Sequence, residues 1–180
     1  WRPTYYTVED DLVFSQNKEK ITNLKDSIKI YPAYGMSFIG YDPESVYVKH
    51  CYDMEKFQTD CQIDLQRKGL FWLGSVVHTQ IQLAIYMGIK EIYLLGVDFH
   101  FSDTKNKINS QVYINSDEKN HFTKNYRIPG ELWNNPQLDK QLQGYFILKE
   151  FCNKNAINII NCSHKSKLDV FEKEHISMVI

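Results

Sequence analysis

An almost unbroken apolar run, Ile92 to Val97, most restricts how this chain can fold. Such a run suits a strand buried on both faces, which is typical of a parallel sheet covered by helices. The preceding segment, "GSVVHTQIQLAIYMG", has apolar residues at helical spacing, with Ser75 placed to cap its start and Gly88 to end it. A helix, a short turn and a buried strand form half of a βαβ unit. The sequence therefore predicts an α/β fold.

Other segments extend this pattern along the chain. Short strands are predicted at Thr4–Val8, in "SIKIYPA", in "SVYVKHC" and in "AINIINCS". Further helices are predicted after Asp10, between Asp53 and Lys68, and from Asn135 to about Lys154. The sequence shows no internal repeat, linker or low-complexity tract. Because 180 residues suffice for one core, we predict a single α/β domain over residues 1–180.

Polar side chains follow several of the predicted strands. If these strands are parallel, their carboxyl ends share one edge of the sheet, where open α/β folds bind ligands. A carboxylate there, such as Asp98, can orient a hydroxyl, hold magnesium or fix an imidazole, or else it only caps the next loop. Glu9 and Asp10 suit a metal, a ribose or a sugar hydroxyl, or else only the charged first turn of the next helix. The residues expected at this edge are Glu9, Asp10, Asp98, His100, Asn161 and Ser163.

Gly74 and Ser75 stand at the predicted start of a helix. The free N–H groups and the dipole of a helix start favour an anion, and glycine permits close approach of a phosphate. The alternative is an ordinary N-cap. His78, in the first turn of the same helix, is expected to face that anion or solvent.

Residues 102–130 are polar and poorly periodic, which predicts a long loop. Loops of this length inside a compact domain are commonly functional or disordered. His121, Tyr126 and Arg127 lie in this segment. A loop histidine can serve as a general base, and arginine pairs with phosphate or carboxylate. The alternative is that all three are ordinary exposed loop residues.

The composition excludes several classes of protein. A net charge of −1 gives no basic field of the kind that nucleic-acid binders use. The four cysteines show no Cys-x-x-Cys spacing and are sparse, so we expect reduced thiols and a cytoplasmic location. No apolar run approaches the roughly 20 residues of a membrane span. The motifs of P-loop, dinucleotide-binding, serine-hydrolase and zinc-protease sites are absent from the sequence.

Four blocks of sequence carry a resemblance to a known family. They are "PTYYTVED", "GSVVHTQIQLAIYMGIKEIYLLGVDFHF", "HFTKNY" and "NIINCSHKSKLDVF", in this order. Together they resemble the 6-hydroxymethylpterin pyrophosphokinase (MptE-like) family, whose domain also occurs in bacterial flagellin-glycosylation accessory factors. The central block is also similar to the bacterial Rossmann-like sialyltransferases. The resemblance covers most of the chain.

The resemblance implies a Rossmann-like, three-layer domain with a mainly parallel central sheet. Such families open with a strand and a glycine-rich turn that helps to hold the nucleotide. This chain begins at "WRPTYY", downstream of that point. We therefore expect either part of a longer family domain or a domain that lacks its first glycine-rich strand.

The resemblance to the sialyltransferases implies a glycosyltransferase-like domain. It would use a CMP-activated sialic or nonulosonic acid, without a metal or other cofactor, in bacterial surface-glycan or flagellin glycosylation. Gly74 and Ser75 would lie near the donor phosphate, Asp98 near its ribose or sugar, and His121 would be the base that activates a glycan or protein acceptor. Further candidates for substrate binding are His100, Tyr126, Arg127, Asn161 and Ser163.

Two alternatives remain open. The first is a pterin pyrophosphokinase, which would transfer diphosphate from ATP with Mg²⁺ held by Glu9, Asp10 and Asp98. The second is a domain without catalysis that binds a nucleotide, a glycan or a partner protein. The missing glycine-rich turn is the main support for the second.

Overall fold

The structure, a computed structural model, describes residues 2–53, 56–57, 63–101, 108–115 and 129–179. In chain order, its strands and longer helices are β1 (Tyr5–Thr7), α1 (Asp11–Gln16), α2 (Lys18–Thr22), β2 (Ile28–Pro32), α3 (Met36–Ile39), β3 (Ser45–Val48), β4 (His50–Cys51), β5 (Leu70–Phe71), α4 (Val76–Tyr86), β6 (Glu91–Leu94), β7 (Val112–Ile114), β8 (Leu132–Asn134), α5 (Leu138–Lys154), β9 (Asn158–Asn161) and β10 (Glu172–Lys173). Short 3₁₀ helices lie at Ala33–Gly35 and Ile176–Met178. The predicted α/β class is confirmed.

The chain divides into two compact units, each made of two separate stretches. The first unit comprises Trp1–Val48 and Phe101–Pro136, and the second comprises Lys49–His100 and Gln137–Ile180. Each unit contains a three-stranded parallel sheet, in the order β1-β2-β3 in the first and β10-β9-β6 in the second.

The first unit packs its short helices and its parallel sheet around Phe14. This ring is fully buried and contacts the rings of Tyr31, Tyr34 and Phe38, with centroids 5.7, 6.4 and 5.9 Å away. The antiparallel pair β7–β8 joins this unit, and the Gln16 side-chain amide exchanges two 2.8 Å hydrogen bonds with the backbone of Leu132 in β8. Strand β7 lies inside the segment that the sequence predicts as one long loop.

The second unit holds the larger hydrophobic core, between its parallel strands and helices α4 and α5. The Gln82 side chain ties α4 to β5, because its Oε1 accepts from Phe71 N at 2.9 Å and its Nε2 donates to Phe71 O at 2.8 Å. Helix α4 has the predicted Ser75 cap, and Gly88 follows it with a φ of +82°. Helix α5 begins at Leu138 rather than at the predicted Asn135.

The apolar run after residue 91 differs from its prediction. Within the described part of the chain, strand β6 pairs only with β9, so it lies at the edge of its three-stranded sheet, and it ends at Leu94. Leu94 is buried, but Tyr93 and Leu95 are 37% and 60% exposed. The prediction of a strand buried on both faces is therefore wrong. None of the helices in the described residues combines the length and the apolar character needed to cross a membrane.

A partly buried ion pair stabilises the first sheet and makes its stability depend on pH. Lys29, only 5% exposed, places Nζ 2.5 Å from Asp42 Oδ2, and Ser45 Oγ donates to the same oxygen at 2.6 Å. These hydrogen bonds lower the pKa of Asp42 from its usual 3.8 to about 2, and the bond from Lys29 has the largest effect. The resulting stabilisation is present above about pH 4 and is lost as the pH falls towards 2.

We expect the Asp42→Asn protein to be less stable than the wild type at pH 5, because the buried Lys29 ammonium loses its counter-charge. The difference should shrink by about 1 kcal/mol at pH 3, because the Asp42 carboxyl is then mostly protonated in the unfolded wild type but still ionised in the folded protein. Urea unfolding at pH 5 and at pH 3 measures the difference in the free energy of unfolding between the two proteins. Asp169→Asn is the matched control: Asp169 also lies 2.5 Å from a lysine, Lys173, but its side chain is 84% exposed. A pH-independent difference for Asp42→Asn would contradict the assignment.

Candidate functional site

In the first unit, Asp10 is used structurally. Its Oδ1 accepts from Val13 N at 3.0 Å and so caps α1, while Oδ2 accepts from Asn134 Nδ2 at 3.1 Å. Glu9 is buried, and its backbone carbonyl accepts a hydrogen bond from the Tyr34 hydroxyl. Capping of the following helix is thus the interpretation that the structure favours for Asp10.

The proposed magnesium ligands are divided between the units, since Glu9 and Asp10 belong to the first and Asp98 to the second. Within the part of the chain that the structure describes, no group of three or more His, Cys, Asp or Glu side chains is arranged to hold a metal ion. Each carboxylate oxygen of Asp10 already accepts one hydrogen bond.

In the second unit, the starts of two helices meet. Ser75 Oγ accepts from Val77 N at 3.3 Å and caps α4. Gly74, at a φ of +101°, lies so close to the first turn of α5 that a Cβ on it would be 3.3 Å from Lys140 Cγ and 3.4 Å from Gln141 N. Two sets of helix-terminal N–H groups and one ammonium group therefore lie near each other, an arrangement that favours an anion.

Tyr145 of α5 connects this helix start to the residues that follow β6. Its ring packs against His78 in the first turn of α4, at a centroid distance of 4.1 Å, and edge-on against Phe99, at 6.0 Å. Burial raises the pKa of Tyr145 to about 12. Phe99 is flanked by Asp98 and His100. The start of α4 and the Asp98–His100 segment therefore lie at the same edge of the second unit.

Asp98 and His100 are both exposed at this edge. Lys167 holds their segment, because its N–H donates to Asp98 O at 2.9 Å and its Nζ lies 3.2 Å from His100 Nδ1. Phe99 between them has a φ of +51°, in the left-handed region that non-glycine residues rarely occupy. If Asp98 only capped the next loop, its carboxylate would accept hydrogen bonds from backbone N–H groups of that loop. No such bond is seen among the described residues.

Asn161 and Ser163 lie just behind this edge and are buried. Asn161 Oδ1 accepts from Ser163 N at 3.0 Å, and Asn161 Nδ2 donates to Ser166 Oγ at 3.0 Å. Ser163 Oγ accepts from Val97 N at 2.9 Å, and Ser166 Oγ donates to Val97 O at 2.6 Å. Their polar atoms thus join the ends of β6 and β9, which positions the Asp98 segment.

His78 faces neither solvent nor an anion site. It is fully buried against Tyr145, with ring centroids 4.1 Å apart. Burial lowers the pKa of His78 to about 3, so the imidazole is neutral in the folded protein at physiological pH.

The three loop candidates, His121, Tyr126 and Arg127, lie outside the described residues. Conversely, sequence reasoning missed Lys140, Lys167 and Ser166. The run "HKSK", directly after the predicted strand "AINIINCS", was a signal for Ser166 and Lys167. No local signal marked Lys140, because its place beside Gly74 depends on a contact between distant parts of the chain.

The comparisons with known proteins give no match. No protein-family model, curated protein or solved structure is significantly similar to the chain.

Proposed function

We propose that this chain is a Rossmann-like glycosyltransferase domain that transfers a sialic or nonulosonic acid from CMP to a glycan or protein acceptor, in bacterial surface-glycan or flagellin glycosylation. One observation carries the proposal: Tyr145 packs against both His78, in the first turn of α4, and Phe99, next to Asp98. A nucleotide sugar needs an anion site and hydroxyl-binding groups at one edge of a parallel sheet. The sequence resemblance to the sialyltransferases supports the choice of donor.

The donor phosphate would lie against the starts of α4 and α5. There the helix N–H groups and the Lys140 ammonium meet its negative charge. The exposed Asp98 carboxylate would accept hydrogen bonds from ribose or sugar hydroxyls, which leaves His100 and Lys167 to face the rest of the donor. Because the phosphate charge is met by protein groups, the scheme has no metal-dependent step.

In the transfer step, His121 would take the proton of the acceptor hydroxyl. The acceptor oxygen then bonds to the anomeric carbon of the sugar, and the bond from that carbon to the phosphate oxygen breaks. The electron pair of the broken bond stays on CMP, which leaves. A general base of this kind typically contributes about 10²–10⁴-fold to the rate.

We expect CMP, without Mg²⁺, to raise the melting temperature of the protein, because a ligand that binds only the folded state stabilises it. At 100 times its dissociation constant the stabilisation would be about 2.7 kcal/mol. Asp98→Ala should abolish most of this shift, since the hydroxyl contacts are lost. Thermal unfolding with CMP, CDP and ATP, each with and without Mg²⁺, makes the measurement.

Asp169→Ala, which removes another exposed carboxylate of the second unit, should leave the CMP shift unchanged. A response to ATP with Mg²⁺ alone would favour the pyrophosphokinase instead. A protein that responds to none of these nucleotides would refute both transfer reactions and leave a binding domain for another ligand.

A further inference from the structure

Two aromatic side chains stand next to each other where β4 and β5 end. The pairing runs His50 with Leu70 and Cys51 with Phe71, so that Tyr52 and Trp72 come next in register. Trp72 N donates to Cys51 O at 2.8 Å, which continues the parallel ladder to this point. Opposed residues of neighbouring strands project to the same side of a sheet. The two rings accordingly lie together, with centroids 6.0 Å apart.

This aromatic pair is open to solvent, unlike its neighbours in the sequence. Tyr52 is 62% exposed and Trp72 is partly exposed, whereas Leu70, Phe71 and Leu73 are at most 1% exposed. Of the four apolar residues 70–73, only Trp72, just beyond the carboxyl end of β5, is thus open to solvent. Rings that are rigid and partly desolvated offer a large contact area for a flat ligand.

A cation adjoins the same pair. Lys140 Nζ lies 3.9 Å from the centroid of the Trp72 ring, within the range of a cation–π contact. Lys140 also packs against Gly74, the residue before the cap of α4. Aromatic surface, positive charge and helix start are therefore contiguous within the second unit. A ligand that matches all three has a flat ring joined to an anionic group.

We infer that Tyr52 and Trp72 form the stacking surface for the pyrimidine base of a nucleotide whose phosphate lies beside Lys140 and Ser75. The inference rests on the proposed function and adds to it the part of the site that holds the base. Stacking on an aromatic ring tolerates different bases, because each has a π face. CMP and UMP should therefore share this contact, and other groups must select the cytosine.

The test compares CMP with ribose 5-phosphate, which carries the sugar and the phosphate without the base. Tyr52→Ala and Trp72→Ala should each weaken CMP binding by about 10–100-fold, the loss expected for one base–aromatic stack. Neither change should alter the affinity for ribose 5-phosphate. Trp72→Phe, which keeps a ring, should retain most of the CMP affinity. Isothermal titration calorimetry measures the affinities of the wild type and the three variants for both ligands.

Lys140→Met is the matched control, because it should weaken the binding of both ligands. Circular dichroism checks that each variant is folded, and the exposed Tyr52 provides a substitution that the core tolerates. If CMP binds the wild type, Tyr52→Ala and Trp72→Ala with equal affinity, the stacking surface is refuted while the proposed function stands. If CMP binds none of them, the proposed function fails and this inference fails with it.

Discussion

Alanine in place of His121 is expected to slow the release of CMP from a CMP-activated nonulosonic acid by about 10²–10⁴-fold, while CMP still binds. The proposed step needs a group that accepts the proton of the acceptor hydroxyl, and an alanine methyl group cannot do this. Binding should persist, because the phosphate and ribose are assigned to Ser75, Lys140 and Asp98. Release of CMP in the presence of candidate acceptor glycans measures the rate, and titration with CMP measures the affinity.

The pH dependence separates a base from a residue that only shapes the loop. A general base acts in its unprotonated form, so the wild-type rate should fall towards acidic pH and the His121→Ala rate should lose this dependence. His175→Ala is the control, since His175 is an exposed histidine near the Ile176–Met178 turn. Full turnover in His121→Ala, or the same acidic decline in both proteins, would remove His121 from the mechanism.

Local signals predicted the elements that depend on neighbouring residues. Helix α4 forms where the apolar spacing indicated, with its Ser75 cap and Gly88 stop, because propensity and capping act within a few residues. The strands at Tyr5–Thr7 and Asn158–Asn161 also lie where they were predicted. Asp98 was correctly placed beyond a strand and exposed, since the change from apolar to polar residues is itself local.

Contacts between distant segments could not be predicted in this way. Strand β5 has only two residues and exists through its pairing with β4, and β7 exists through its pairing with β8. The run that contains Tyr93 and Leu95 suggested burial on both faces, but an apolar sequence does not specify its neighbours. Among the residues that the structure describes, β6 has one strand partner. Asn161 and Ser163 were expected to meet a substrate, yet their polar atoms are engaged in hydrogen bonds between two strand ends.

One of these distant contacts involves Gly144, in the middle of α5. A Cβ on this residue would lie 2.6 Å from Leu73 O, 2.8 Å from Leu73 Cβ and 2.9 Å from His78 Cε1. The first distance is to a backbone atom, which no side-chain rotation relieves. Helix α5 can approach β5 and α4 this closely only because residue 144 is glycine. The packing of the Tyr145 ring against His78 depends on the same approach.

Gly144→Ala is therefore expected to destabilise the protein by about 3 kcal/mol, the upper part of the usual range for overpacking. Helix propensity alone predicts the opposite sign, because alanine in place of a helical glycine normally stabilises by about 0.5–1 kcal/mol. Urea unfolding, followed by far-ultraviolet circular dichroism, separates these two expectations. The midpoint falls if the close contact dominates and rises if helix propensity does. The variant should also bind CMP more weakly, since α5 must move away from Leu73 and carry Tyr145 with it.

Gln143→Ala tests the same helix without the close contact. Gln143 is exposed, so its replacement should change the stability by no more than about 0.5 kcal/mol and leave CMP binding intact. A Gly144→Ala protein at least as stable as the wild type would show that α5 does not lie against Leu73. In that case the meeting of the two helix starts, on which the proposed phosphate site depends, would be wrong as well.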